Sequence, residues 1–224
     1  MGSLLSTNTC TIEGSGPPIS TEKLQTGDLL LFVGGKGLLS HAIEMGTQSP
    51  FTHCAIVVRD PRWTTPKLYG LYAWESSSNS FADAENQRFK MGVQMSTFDR
   101  RIKEAKKWGK KVYVRQLTCD RGAQFESRLA HTHNAVHNLP YDSSPEDWLK
   151  ALCIELGIPE FSNQTVQRHD QFWCSALVSF IYVSLGFLPK DTPWTVLAPE
   201  RLSTLSKQPL IFMNCKLGPE RLLK

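Results

Sequence analysis

The run His53-Cys54-Ala55-Ile56-Val57-Val58 is apolar at nearly every position instead of at alternate ones. A strand of this kind has no face to offer water, so it must lie inside a sheet that is covered on both sides. Arg59-Asp60-Pro61 closes it. Leu29 to Val33, entered through the turn Thr26-Gly27-Asp28, is a short apolar run of strand length, and Tyr69 to Glu75 reads as the antiparallel neighbour of the central strand. Gly92 to Met95 and Lys111 to Leu117 are further strand candidates. Helical spacing is predicted over 38–45, 97–107, 122–138, 146–156 and 173–186; Ser144-Pro145-Glu146 marks one start and Gly186 one end. Gly34, Gly35 and Gly37 lack the Lys-Ser/Thr ending of a phosphate loop and read as a turn. The expected fold class is α+β, one domain over 21–224, its antiparallel sheet packed by helices mainly on one side. Residues 1–20, rich in Ser, Thr, Gly and Pro, are expected to form a flexible leader.

Several function classes are excluded by composition. The apolar stretch Phe172 to Leu188 is broken by Ser175, Ser179 and Ser184, and no run approaches the roughly eighteen apolar residues of a membrane span. The net charge of +4 is mild, and part of it is one run, Arg100, Arg101, Lys103, Lys106, Lys107, Lys110 and Lys111. Without interleaved aromatics or a known motif this run reads as a solvated helix face, and no nucleic-acid partner is expected. Six cysteines at irregular spacing, with no C-x-x-C pair, imply free thiols in a reducing, cytoplasmic setting. The Asn163-Gln164-Thr165 sequon is then a chance match. Met1-Gly2-Ser3-Leu4-Leu5-Ser6 fits the myristoylation pattern at Gly2, and Cys10 is a candidate for a second acyl chain. Two such anchors would bring the chain to a membrane surface; a plain flexible start is the alternative. A monomer without cofactor is expected.

Three side chains carry candidate chemistry. In the 173–186 helix Cys174, Leu177, Val178, Ile181, Tyr182 and Leu185 share one face, and Cys174 lies in the first turn. Free N–H groups and the helix dipole there favour a thiolate. Pattern alone makes Cys174 a packing residue, His53 a hydrogen-bonded core histidine and Glu75 an ordinary strand-end acid. The chemical alternative makes them nucleophile, base and orienting carboxylate. His41 is a rival base, but it lies in an amphipathic helix without strand support. His131, His133 and His137 share a helix, and His133 and His137 share a face. No third ligand is evident, so a partly exposed helix face is expected there and no metal site.

Taken together, Gly27-Asp28-Leu29-Leu30-Leu31-Phe32, Ser49-Pro50-Phe51-Thr52-His53-Cys54-Ala55-Ile56-Val57, Trp74-Glu75-Ser76, Gly92-Val93-Gln94-Met95, Val112-Tyr113-Val114-Arg115, Leu139-Pro140-Tyr141-Asp142 and Phe172-Trp173-Cys174-Ser175-Ala176-Leu177-Val178 resemble one family in order and spacing. It is the permuted papain-fold cysteine peptidase and amidase superfamily of NlpC type, in its YiiX/YaeF-like branch, which includes a poxvirus group. The resemblance implies a circularly permuted papain-like fold in which the histidine strand precedes the cysteine helix. It further implies Cys174 as nucleophile, His53 as base, Glu75 as orienting acid, and Tyr141 and Trp173 as substrate-binding or oxyanion residues. The activity it implies is thiol hydrolysis of a peptide or N-acyl amide, with lipid acyl transfer or an inactive binding module as alternatives. In the family a Ser-Glu pair often follows the cysteine; here it is Ser175-Ala176. The stretch Ser143 to Asp170 is longer than usual and reads as a lid or substrate-selecting insert.

Overall fold

The computed structural model describes residues 12, 14–35, 49–144, 147, 150–151, 153–154 and 167–224. Gly2, Cys10, His41, the sequon and most of the 143–170 insert lie outside the described residues. In chain order the strands are β1 (Gly16–Ile19), β2 (Leu29–Val33), β3 (Phe51–Arg59), β4 (Leu71–Ala82), β5 (Phe89–Thr97), β6 (Lys111–Thr118) and β7 (Lys216–Leu223). The helices that pack on them are α1 (Phe98–Lys107), α2 (Ala123–Val136) and α3 (Cys174–Leu185). The strands form one sheet in the order β1-β7-β6-β2-β3-β4-β5, antiparallel except for the parallel pair β1 and β7.

Both faces of the sheet are covered, as the uninterrupted apolar run in β3 requires. Leu29, Leu31, Cys54, Ile56, Val58, Trp74 and Tyr113 point towards α2 and α3. Leu30, Phe32, Ala55, Val57, Ala73 and Val114 point the other way, towards Phe98, Ile102 and Ala105 of α1. The helices lie mainly on one side, as expected: α2 and α3 pack the larger cluster, and α1 alone covers the second face with a smaller one. Gly16–Ile19, expected in the leader, is instead an edge strand; its Pro17 and Pro18 have no N–H to give and fit only such a position. α3 buries nine of its residues, serines included, so it is a central helix. It stops at Gly186, whose left-handed φ of 77° favours glycine.

One departure from regular pairing positions the site. β3 pairs with β2 from Ile56 down to Phe51, but with β4 only from Arg59↔Leu71 to Ile56↔Trp74. Beyond Trp74, β4 continues along β5 and leaves β3. The start of α3 enters this gap: the Ser76 hydroxyl donates to the carbonyl of Phe172 at 2.5 Å, and the backbone N–H of Cys54 donates to the sulfur of Cys174. Phe172 also exchanges backbone bonds with Pro140 and Asp142, at 3.2 and 3.1 Å, forming a one-residue bridge to Tyr141.

The strip 139–141 reaches the gap by crossing β5 at Gly92. Val93 donates to the Leu139 carbonyl at 2.9 Å, and a Cβ on Gly92 would stand 2.8 Å from the Tyr141 nitrogen. Gly92 also has φ 117°, a region L side chains avoid. Gly92→Ala is therefore expected to destabilise the protein by about 1–3 kcal/mol, measured by urea unfolding, through strain and displacement of this strip.

Candidate functional site

His53 and Cys54 are neighbours in β3 and so face opposite sides of the sheet. His53 lies on the α1 side, its ring edge-on to Phe32 at 5.1 Å. Cys174 belongs to the cluster on the α3 side, yet it hydrogen-bonds the imidazole, because the parted strands leave an opening between them. Nε2 of His53 is 2.5 Å from Oε2 of Glu75, which leaves Nδ1 as the nitrogen for the sulfur. The three residues singled out from the sequence as nucleophile, base and carboxylate thus form one connected chain. Glu75 is not a strand-end acid as expected; it sits within β4, opposite Gln94, and is wholly buried.

A buried carboxylate needs more than one imidazole to stay ionised. Arg101 supplies the rest: its Nε lies 2.8 Å from both oxygens of Glu75, and its guanidinium stacks 4.1 Å over the ring of Phe32. Burial pushes the Glu75 carboxyl up, but the Arg101 charge and then His53 overcome it and bring the pKa to about 2. The reading of this basic run as a solvated helix face fails at Arg101, and the helix ends at Lys107, short of Lys110 and Lys111. Phe98, Arg101, Ile102 and Ala105 follow the i, i+3, i+4, i+7 spacing of a buried stripe, so the signal was present and was hidden by its basic neighbours.

The thiol is poised from several directions. A hydrogen bond from the Cys54 thiol lowers the Cys174 pKa; desolvation opposes it, but the His53 charge, the His53 hydrogen bond and the Cys54 N–H carry it well below the ordinary thiol range. Cys54, buried and beside the negative sulfur, is itself pushed well above that range and stays a thiol donor. For His53, burial lowers the pKa, but Cys174 and then Glu75 outweigh it and raise it. Cys54 was expected only to fill a strand position; no sequence pattern marks it as a hydrogen-bond donor to the nucleophile.

Trp173 is the residue that caps α3, in extended conformation and 5% exposed, and Cys174 is the first helical residue. The first-turn N–H groups of such a helix have no intrahelical acceptor and are open to a negative group. Tyr141 is partly buried in the strip beside Phe172, shares a hydrogen bond with Ser78, and has its pKa raised by burial and by the Cys174 charge. Ser175 donates to the Leu197 carbonyl at 2.5 Å, and Ala176 is 2% exposed in the core. An acidic side chain at 176 would be stranded in an apolar core.

No protein-family model matches the chain, and no curated protein sequence matches it. A solved structure does. Metalloprotein YiiX of Escherichia coli O157:H7, DUF1105, is 21% identical, with 72% of this chain and 67% of that chain covered and a TM-score of 0.45.

Two outcomes follow from the electrostatics. Alkylation of Cys174 by iodoacetamide is expected to reach its plateau well below the pH of ordinary thiols, and Cys54→Ala, which removes the thiol donor, should move the midpoint upward in a pH series. Arg101→Met leaves the Glu75 carboxylate buried with half its support and should cost about 3–5 kcal/mol in urea unfolding at neutral pH. Because the folded-state pKa of Glu75 is depressed, its contribution is complete above the ordinary carboxyl range and is lost as pH falls towards about 2. The difference between wild type and Arg101→Met should shrink across that window.

Proposed function

We propose that this chain is a thiol hydrolase with a circularly permuted papain-like fold of NlpC type, cleaving a peptide or N-acyl amide through a thioester on Cys174. The observation that carries the reading is the double engagement of His53. One ring nitrogen is 2.5 Å from the Glu75 carboxylate and the ring also hydrogen-bonds the sulfur of Cys174, whose pKa is depressed.

In this mechanism the Cys174 thiolate attacks the carbonyl carbon, and the electron pair of the C=O bond moves to oxygen. The first-turn N–H groups of α3 stabilise that oxyanion. Collapse of the tetrahedral intermediate breaks the C–N bond, and protonated His53 gives its proton to the leaving amine. His53, now neutral and oriented by Glu75, takes a proton from water, which attacks the thioester. Thiolate leaves, the acid is released, and His53 is again protonated. Tyr141 and Trp173 flank the acyl group and bind substrate or the oxyanion. Transfer of the same thioester to an amine or alcohol acceptor would make the chain an acyltransferase, and an acylated Gly2 or Cys10 would bring it to lipid substrates at a membrane surface. No helix among the described residues is long and apolar enough to cross a membrane.

An acyl-amide probe that traps thiol nucleophiles tests the reading. Cys174 is expected to label selectively over the other thiols, with His53→Ala abolishing it and the isosteric Glu75→Gln slowing turnover by roughly 10²–10⁴. Equal, slow labelling of every exposed thiol, insensitive to His53→Ala, would instead identify a binding module that keeps the fold without the chemistry. Product analysis with and without an added amine or lipid acceptor separates hydrolysis from transfer.

A further inference from the structure

On the face of the sheet that carries Trp74 and α2, a second set of polar groups converges. His133 and His137 lie one turn apart on α2 and at its end, their ring centroids 4.7 Å from each other. The ring of His133 packs against Trp63 and Trp74, at 4.9 and 5.8 Å. The turn between β4 and β5 delivers Glu85 to them. That turn is fixed by Asp83, whose Oδ1 accepts the Glu85 N–H at 3.0 Å, and by the Ala84 N–H bonded to the Met95 carbonyl at 2.7 Å. Oε2 of Glu85 is 2.9 Å from Nε2 of His133 and 3.3 Å from Nε2 of His137. The side chains of Glu85 and His133 are 2% and 5% exposed, so His133 is not the partly exposed residue expected from sequence.

This arrangement leaves polar atoms unsatisfied. Oε1 of Glu85, Nδ1 of His133 and Nε2 of His137 are shielded from solvent and make no hydrogen bond. Buried polar atoms without partners are uncommon and costly, and here two of them, the Glu85 oxygen and the His137 nitrogen, belong to potential ligand groups of one cluster. The spacing suits a cation. Around a tetrahedral ion with bonds of about 2.0–2.1 Å, neighbouring ligand atoms stand roughly 3.3 Å apart; the two separations from Glu85 are close to this, and all three ligand atoms lie within 4.8 Å of one another. Two imidazoles and one carboxylate are also the donor set of borderline transition ions; magnesium and calcium require oxygen ligands in greater number.

We propose that Glu85, His133 and His137 form a binding site for a divalent transition ion of the zinc class, with solvent as the remaining ligand on the side of the more exposed His137. Binding places the ring protons on Nδ1. At His137 that nitrogen is 3.1 Å from the side-chain amide of Asn138, which would turn its oxygen to the ring and give up the contact that oxygen makes with Lys90. The ion would tie the end of α2 to the β4–β5 turn. Asn138 leads directly into the strip 139–141, so the same tie would anchor the segment that carries Tyr141. The assignment of the ion site does not rest on the proposed thiol chemistry.

The test uses the full chain, freed of metal with a chelator and titrated with Co2+ and then Zn2+. Wild type and Cys174→Ala should each bind about one Co2+ with visible bands lacking thiolate charge transfer. Zn2+ at about a hundred times its dissociation constant should raise the melting temperature by roughly 5–10 °C. Glu85→Gln and His137→Ala, still folded by circular dichroism, should lose both effects; His137 is the more exposed ligand, so its variant serves if Glu85→Gln fails to fold. Absence of ion binding by the wild type, binding unchanged in the two variants, or a thiolate band that vanishes in Cys174→Ala would each overturn the assignment.

Discussion

β3 and β4 separate after the pair Ile56 and Trp74, and this separation is the constraint on which the candidate site depends. In a continuous ladder His53 and Cys174 would lie on opposite sides of a sealed sheet. Where the ladder ends, the backbone N–H of Cys54 is satisfied by the sulfur of Cys174, and the Ser76 hydroxyl bonds the Phe172 carbonyl just before α3. The helix start thus takes the place of the missing strand pairing. The cost of opening a sheet in the core is offset by placing the sulfur between the two strands that carry the base and the carboxylate.

The second condition is charge balance. In the thiolate–imidazolium state the site holds two negative groups, Cys174 and Glu75, and two positive ones, His53 and Arg101. They alternate in space, each touching a partner of opposite sign. A buried set with no net charge avoids most of the penalty that any one of these ions would suffer alone. Arg101 is 5% exposed and is reached only because α1 covers the second face of the sheet. The helix is therefore part of the electrostatic site as well as of the core.

Much of this was legible in the sequence. The both-sided apolar run of β3, the strand at 29–33, the basic helix and the buried helix beginning at Cys174 follow from periodicity. The closeness of His53, Glu75 and Cys174 did not: it entered through a resemblance of motif order, since Cys174 lies about a hundred positions beyond the other two. Arg101 was missed because six neighbouring cations dominate the run in which one inward position is embedded. Glu85 was missed because nothing local connects a turn residue to histidines 48 and 52 positions later. β1 was taken for leader because Gly-Pro-Pro reads as loop, and only the partner strand β7, at the other end of the chain, makes it a strand.

The two rims of the sheet are closed by different means. At β1, consecutive prolines remove the donors that an incoming chain would need for a further ladder. At β5, the strip following α2 occupies Val93 with its own carbonyl. A sheet whose central strand is so greasy carries a strong tendency to self-associate if its margins are bare. Here neither margin offers a full template, so the sequence can keep an uncharged strand interior without inviting intermolecular β-addition.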